Sequence, residues 1–549
     1  MKSSYIKTFS IFIIIALGFL VYSNTFFSSF HFDDDLYIIN DYAIRNIQNL
    51  FAIWKICPCR FIAFLSLAIN YHFNHLDVLG YHILNLLIHL GTACFVWWLV
   101  LMTFASPVMK DEKITKHANS ISLFAALIFV SHPVQVEAVT YIWQRTASMA
   151  AFFYIASLSF YVKSRLLKNP PLSYKEGPGE LKTQQSFYYI SSLIFAGLAM
   201  FTKENTITLP LMILLYEFSF LNIKKEINWN YLFPFMMTIF IIPETMFLTG
   251  STRFQEIQSI VGGHEGITSF HYLLTQFRVM ITYIRLLFLP IHLNLDYDYP
   301  IYKSIFRMPV LASFLSLATI LYFAKRMFSK YRLISFSIFW FFITLLPESS
   351  ILPQEDVIFE HRLYLPLVGF CILLVSSIYY LFERKTRLVF VILSLMVLFN
   401  SFLTYQRNKT WKNEIFLWSD VLQKSPHKAR AYNNLGWAYY NQGSFDQAMS
   451  NFNKALEINP EYIFSYDDRG LIYSKEGRFT EAVAEYDKAI KINPYYAMIY
   501  DNRGQAFLKQ GHYAQAISDF DRAIKLDPEN GDAYNARAQA LFLDSRKNK

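Results

Sequence analysis

Residues 466–504 read YDDRGLIYSKEGRFTEAVAEYDKAIKINPYYAMIYDNRG, and the closing five, Tyr500 to Gly504, nearly repeat the opening five, Tyr466 to Gly470, 34 positions earlier. The same step links Gly436 to Gly470 and Gly504, Ala448 to Ala482 and Ala516, Ala455 to Ala489 and Ala523, and Pro460 to Pro494 and Pro528. Aromatic residues keep the register as well: Tyr432/Tyr466/Tyr500, Tyr439/Tyr473/Phe507 and Phe452/Tyr486/Phe520. Small residues let two helices close on each other, aromatics fill the space between them, and the proline ends each unit. The period predicts helix pairs stacked into a solenoid, because one pair alone cannot bury its apolar face.

A 34-residue helix–turn–helix unit has the tetratricopeptide period, and it places repeats at 429–462, 463–496 and 497–530. One step back from Pro460 falls on Pro426, so 405–428 is a linker in which Trp411 to Ser425 forms a lone second helix capping the first repeat. Residues 531–549 carry a polar helix, Asp532 to Ser545, of the kind that solvates the end of a solenoid. Asn434, Asp468 and Asn502 hold the sixth position of successive repeats and stack on the concave side. There they either grip an acceptor or partner peptide by its backbone or only solvate the groove.

Upstream the composition changes. The 549 residues are 54% hydrophobic, 18% aromatic and 17% charged, against about 25% charged in a soluble domain. The apolar excess lies between residues 7 and 405, in eleven runs near 8–27, 79–101, 120–137, 146–163, 186–202, 205–221, 231–249, 306–324, 333–350, 363–382 and 387–404. Residues 1–404 are therefore expected to form a polytopic helical bundle in membrane lipid, and the whole protein to be all-α. The first run follows Lys2 and Lys7 without a small-x-small cleavage site, so it reads as an anchor. With the N-terminus inside, the cytoplasmic segments collect Lys110/Lys113/Lys116, Lys163 to Lys182, Lys224/Lys225, Lys325 to Arg332 and Arg384/Lys385/Arg387, as the positive-inside rule requires. The net charge of +9 is thus a matter of topology and gives no reason to expect nucleic acid.

Gln276 to Pro290, with Arg278 and Arg285 on one face, suits an interfacial or re-entrant helix on the outer side. An odd number of spans then puts the repeats outside the cytoplasm, and the short loops suggest a bacterial inner (plasma) membrane. Cys94 and Cys371 sit in apolar runs. Cys57-Pro58-Cys59 is too tight for a zinc-knuckle spacing, and an i,i+2 disulfide would be strained, so the motif receives no role.

Polar groups recur on the outer side at membrane depth, where they are expensive and mark cavities or mutual pairing. Phe30-His31-Phe32-Asp33-Asp34-Asp35 follows the first span, and three adjacent acids repel one another. They suit a general base with a neighbour that orients the acceptor or a metal; a helix N-cap in a solvated loop is the competing reading. Further groups are His132, Glu137, Arg145, Lys203-Glu204, Asp296, Asp298, Glu348 and Glu360-His361-Arg362. Lys203, Arg145 and Arg362 suit a phosphate. Buried Glu137–Lys203 or Glu360–Arg362 pairs that only tie helices together compete with that view. No Walker loop, Rossmann fingerprint, HExxH or GxSxG occurs.

This combination resembles the GT-C-type membrane glycosyltransferases. More closely it is similar to the transmembrane and tetratricopeptide-repeat O-mannosyltransferase-like family, in which F-x-x-D-D follows the first span and repeats follow the last. Here that motif falls on Phe30, Asp33 and Asp34, with Asp35 extra. Similar stretches are YHILNLLIHL (81–90), HPVQVEAVTYIWQR (132–145), TKEN (202–205), NLDYDYP (294–300) and PESS to EHRLYLP (347–366). The resemblance implies an inverting transfer of a sugar, mannose by analogy, from a polyprenyl- or dolichyl-phosphate to a Ser/Thr hydroxyl on the outer face. It implies Asp34 or Asp33 as base, Arg145, Lys203, Glu204 and Arg362 at the donor phosphate, and Glu137 or His361 orienting. No cofactor is fixed by it, and a divalent metal ion is neither required nor excluded.

Two other readings compete. An O-antigen-ligase-like transferase of lipid-linked glycan can also end in such repeats, but its chemistry rests on Arg and His in one large outer loop. A membrane-anchored scaffold needs one anchor and would not maintain polar groups at depth.

Overall fold

The computed structural model describes residues 2–168, 178–222, 229–248, 267–354, 356–528 and 530–547, and every regular element among them is a helix. The basic residues Lys175, Lys224 and Lys225 lie outside this set. Two compact units result, one reaching Asn413 and a second comprising Asp296–Asp298 and the chain from Glu414 onward.

In the first unit, four helices among the described residues are long and apolar enough to cross a membrane: Val78–Phe104, Lys113–Ser131, Met308–Met327 and Thr386–Trp411. Others are shorter than the apolar runs that encode them. Arg332–Leu345 and Pro366–Leu381 have 14 and 16 residues, about 21 and 24 Å at 1.5 Å per residue, below the hydrocarbon thickness of about 30 Å. The 120–137 run stops as helix at Ser131, where His132-Pro133 turns the chain. Run 205–221 divides into Glu204–Thr208, Leu209–Tyr216 and a π-turn Glu217–Leu221. The 231–249 run divides around Thr238–Phe240, between Trp229–Met237, which continues through Pro234, and Ile241–Leu248.

Exposed apolar side chains concentrate on the outer helices, among them Phe9 and Phe12 on Lys2–Val21 and Phe390, Leu395, Leu398 and Phe402 on Thr386–Asn408. Such faces need an apolar surround, and lipid provides it.

The segment after the first apolar helix is structured and not a plain loop. Leu50–Ile56 and Pro58–Asn74 are apolar helices meeting at 107°, with Cys57 at the bend. Ser269–Phe288 takes in the Gln276 to Pro290 stretch as far as Phe288; it buries Tyr272, Gln276, Val279 and Tyr283 while Arg285 is exposed, an amphipathic helix.

The second unit is a stack of helix pairs, Ala429–Asn441 with Phe445–Ile458, Ile463–Lys475 with Phe479–Ile492, and Ala497–Gln510 with Tyr513–Leu526. A Cβ on Gly470 would lie 2.4 Å from Tyr486 Cε1, so only glycine admits that ring. The inter-helix turns use Gly443, Gly477 and Gly511 at φ near +77°, again 34 apart. Glu414–Lys424 seals one end through Leu417, Trp418 and Val421, and Gly531–Lys547 seals the other through Ala533, Ala536 and Ala540. Asp296 accepts from Arg430 Nε at 2.8 Å and Lys428 Nζ at 3.1 Å, and the Asp298 N–H donates to Ser425 Oγ. These two acids of the N-L-D-Y-D-Y-P stretch are therefore bound up with the repeats.

Candidate active site

The three consecutive acids have three different environments. Phe32 has φ +49°, a left-handed backbone that bulky residues rarely adopt, and the chain turns there. Asp34 is fully buried: Oδ2 accepts the His31 N–H at 2.9 Å and Oδ1 the Trp143 N–H at 2.7 Å. Burial pushes its carboxyl up to about 8 against the pull of those two N–H groups. It makes no side-chain cap to the following π-turn, Asp35–Ile39, so the N-cap reading is replaced by a latch between His31 and Trp143. Asp33 is half-buried, its N–H donating to Tyr141 Oη at 2.9 Å, while Asp35 is exposed. Tyr141 stacks on Trp411, and Tyr37 stacks on Trp143 at 4.0 Å, so aromatic planes fix this corner.

A second group surrounds His361. Glu137 takes the Glu360 N–H on Oε2 at 3.0 Å and shares a 2.6 Å hydrogen bond with His361 Nδ1 on Oε1. The His361 ring stacks on Phe359. Burial, then the charges of Lys203, Arg362 and Arg60, hold this imidazole well below its usual pKa, so it is neutral at pH 7. Lys203 Nζ pairs with Glu348 Oε1 at 2.9 Å. Arg362 donates to the carbonyls of Val357 at 3.1 Å and Asp356 at 2.7 Å. The Glu137–Lys203 pairing considered from the sequence is thus not the one formed, and Arg362 turns to backbone oxygens.

Arg60 was not singled out by the sequence, yet it forks onto Glu204, Nε to Oε1 at 2.9 Å and Nη2 to Oε2 at 3.1 Å. Burial opposes the Glu204 carboxylate, but the guanidinium outweighs it and holds the acid down at about 2. The signal was faint, one arginine two residues beyond a Cys-Pro. Tyr37 connects the two groups: its buried phenol is pushed up by desolvation first, then by Asp33, while Arg60 opposes. Asp33 and Arg60 both act on Tyr37, and Arg60, Lys203 and Arg362 all act on His361.

Arg145 is buried and committed elsewhere, Nε to Asn85 Oδ1 at 2.6 Å, Nη2 to the Tyr81 carbonyl at 3.1 Å and Nη1 to the Ser66 carbonyl at 3.3 Å. It ties helices together at this position. His31, His82 and His132 hydrogen-bond to the carbonyls of Trp411, Ser28 and Leu287.

In the repeats, Asp468 accepts from Asn433 Nδ2 and Asn502 Nδ2 donates to Asp467, both at 2.9 Å, so these groups link adjacent repeats. Asn434 Nδ2 has no hydrogen-bond partner among the described residues.

Residues 429–462 match the tetratricopeptide repeat family model, and 470–511 and 504–544 match the TPR repeat model. Protein O-mannosyl-transferase Tmtc3 of Drosophila melanogaster is 24% identical over 458 residues, 72% of this chain and 48% of the relative. Protein O-mannosyl-transferase TMTC3 of Homo sapiens is 24% identical over 436 residues, 72% of this chain and 44% of the relative. Human TMTC4 of the same description is 22% identical, with 77% and 62% covered. The chain spans about half the length of the first two. From its membrane helices into its helical repeats, the chain resembles the TMTC protein O-mannosyl-transferases.

Proposed function

We propose that the protein transfers a sugar, mannose by analogy with its relatives, from a polyprenyl- or dolichyl-phosphate carrier to a Ser or Thr hydroxyl of a protein on the extracytoplasmic face of a membrane. The observation that carries this reading is the division of labour within the acidic triplet. Asp34 is wholly buried with both oxygens held by backbone N–H groups, whereas the half-buried Asp33 carboxylate lies by the Tyr141 and Tyr37 phenols, and Arg60 acts on Tyr37 as well.

Asp33 takes the hydroxyl proton as the acceptor oxygen attacks C1 of the sugar. The C1–O bond to phosphate breaks with inversion, and the lipid phosphate leaves with the electron pair. Arg60, Lys203 and Arg362 supply the positive charge that stabilises it. Glu137 orients His361 at the same edge. The second unit supplies the acceptor through the repeat groove that carries Asn434, Asp468 and Asn502. Tethering raises the local acceptor concentration.

Membranes carrying wild type or Asp33→Asn protein, radiolabelled polyprenyl-phosphate mannose and a Ser/Thr-rich acceptor test this directly. Label reaches protein with wild type only if the reading holds. Equal transfer by the variant would remove Asp33 from the mechanism.

A further inference from the structure

We propose that Cys57, Cys59 and Glu204 form a binding site for a thiophilic divalent cation of the zinc class. The two cysteines alone are spaced too tightly to argue for a metal, but the fold supplies a third ligand from 145 residues away. Cys57 Sγ lies 3.0 Å from Cys59 Sγ, Cys59 Sγ lies 3.3 Å from Glu204 Oε1, and the three ligand atoms all fall within 4.8 Å of one another. Both thiols are buried at the 107° bend. Pro58 begins the short 3₁₀ turn Pro58–Arg60 and fixes the backbone between them.

Tetrahedral zinc with bonds of about 2.3 Å to sulfur sets two thiolates about 3.8 Å apart. The pair here needs to open by less than about 1 Å, within reach of a side-chain rotation. Glu204 Oε1 faces Cys59 and also takes Arg60 Nε at 2.9 Å, so a metal there displaces that one bond while Oε2 keeps Arg60 Nη2 at 3.1 Å. A hydrogen-bonded ligating carboxylate is the usual outer-shell arrangement. Two thiolates and one carboxylate around a divalent ion leave one negative charge, offset by Arg60, and Lys203 also acts on Glu204. Binding releases the two thiol protons to solvent, and water completes the coordination. A disulfide between the same atoms would close a strained two-residue ring and would require an oxidant.

The test uses the full chain in detergent with Cys94→Ser and Cys371→Ser, so that only the two site thiols remain. The reduced, chelator-stripped protein is titrated with Cd²⁺ while the near-ultraviolet sulfur-to-cadmium absorbance is followed, and Zn²⁺ is then added as competitor. The expected result is a single equivalent of cadmium, displaced by zinc. Adding Cys57→Ser and Cys59→Ser abolishes the band, whereas Glu204→Gln keeps it and weakens binding about tenfold. A missing band in protein whose two thiols react freely with a thiol reagent would overturn the proposal, as would cadmium affinity unchanged by the cysteine substitutions. A mass two hydrogens lower in protein purified without reductant would instead establish a disulfide pair. Should the cysteine variants fail to fold, the band and stoichiometry of the parent and of Glu204→Gln still decide.

Discussion

Replacing Asp33 and Asp34 separately distinguishes a chemical carboxylate from a structural one. Asp34 is wholly buried and each of its oxygens holds one backbone N–H, from His31 at 2.9 Å and Trp143 at 2.7 Å. Asp34→Ala orphans both donors in the interior, at about 1–3 kcal/mol each, so the fold should lose about 2–6 kcal/mol. Asp34→Asn retains one acceptor and presents an NH₂ to the other N–H, for a loss of about 2–3 kcal/mol. Asp33 is half-buried; its N–H donates to Tyr141 Oη, and its side chain also meets that phenol as an acceptor, a role the amide oxygen of Asp33→Asn keeps. That change should cost less than about 1 kcal/mol and lower transfer about 10²–10⁴-fold, the usual contribution of a general base. The assay pairs thermal stability, read as the monodisperse fraction surviving heating in detergent, with transfer of radiolabelled mannose to protein. Asp33→Asn should fall in the second measurement only, and Asp34→Ala should fall in the first. The reasoning is refuted if Asp34→Asn abolishes transfer at wild-type stability while Asp33→Asn retains full activity.

Lys203→Met strands the buried Glu348 carboxylate, whose Oε2 already lacks a hydrogen-bond partner among the described residues, and should destabilise the first unit by about 3–5 kcal/mol in the same heating assay. Arg60→Gln should raise the KM for the lipid-phosphate donor more than it lowers kcat, because the guanidinium is assigned to the leaving phosphate; an unchanged KM would count against that assignment. Gly470→Ala places a methyl 2.4 Å from Tyr486 and should cost the repeats about 1–3 kcal/mol, visible as faster hydrogen exchange across Ile463–Ile492 and relieved by Tyr486→Leu. Asp467 is held up at about 6 by burial, against an ordinary 3.8, with the Asn502 amide pulling the other way. A raised folded value means that its contribution is complete below pH about 4 and is lost as pH rises through about 6, about 3 kcal/mol in all. Exchange protection of Ala497–Gln510 should fall over that window, and Asp467→Asn should flatten the dependence.

The order of the fold was legible in the chain because its signals are periodic and local. Glycine, alanine and proline recurring every 34 residues dictate stacked helix pairs, and the aromatic opposite each glycine is the ring that meets it, as Tyr486 meets Gly470. Apolar runs likewise dictate helices in lipid, whatever their partners. Run length alone did not reveal where those helices break, since His132-Pro133 turns one chain segment after Ser131 and a 3₁₀ turn at Thr238–Phe240 divides another within an apolar stretch.

The candidate site was legible as an inventory and not as an arrangement. Its polar groups stand out because polarity at membrane depth is costly, but a carboxylate's role depends on what faces it. Nothing in three adjacent aspartates says that the middle one meets the Trp143 N–H, 109 residues on. Nor does Cys-Pro-Cys announce Glu204, or Arg60 its fork onto that same acid. Composition and period determined which helices form, because those depend on neighbours along the chain. Which charges meet, which are latches and which remain available are set by contacts between distant segments, and only the tertiary structure decided them.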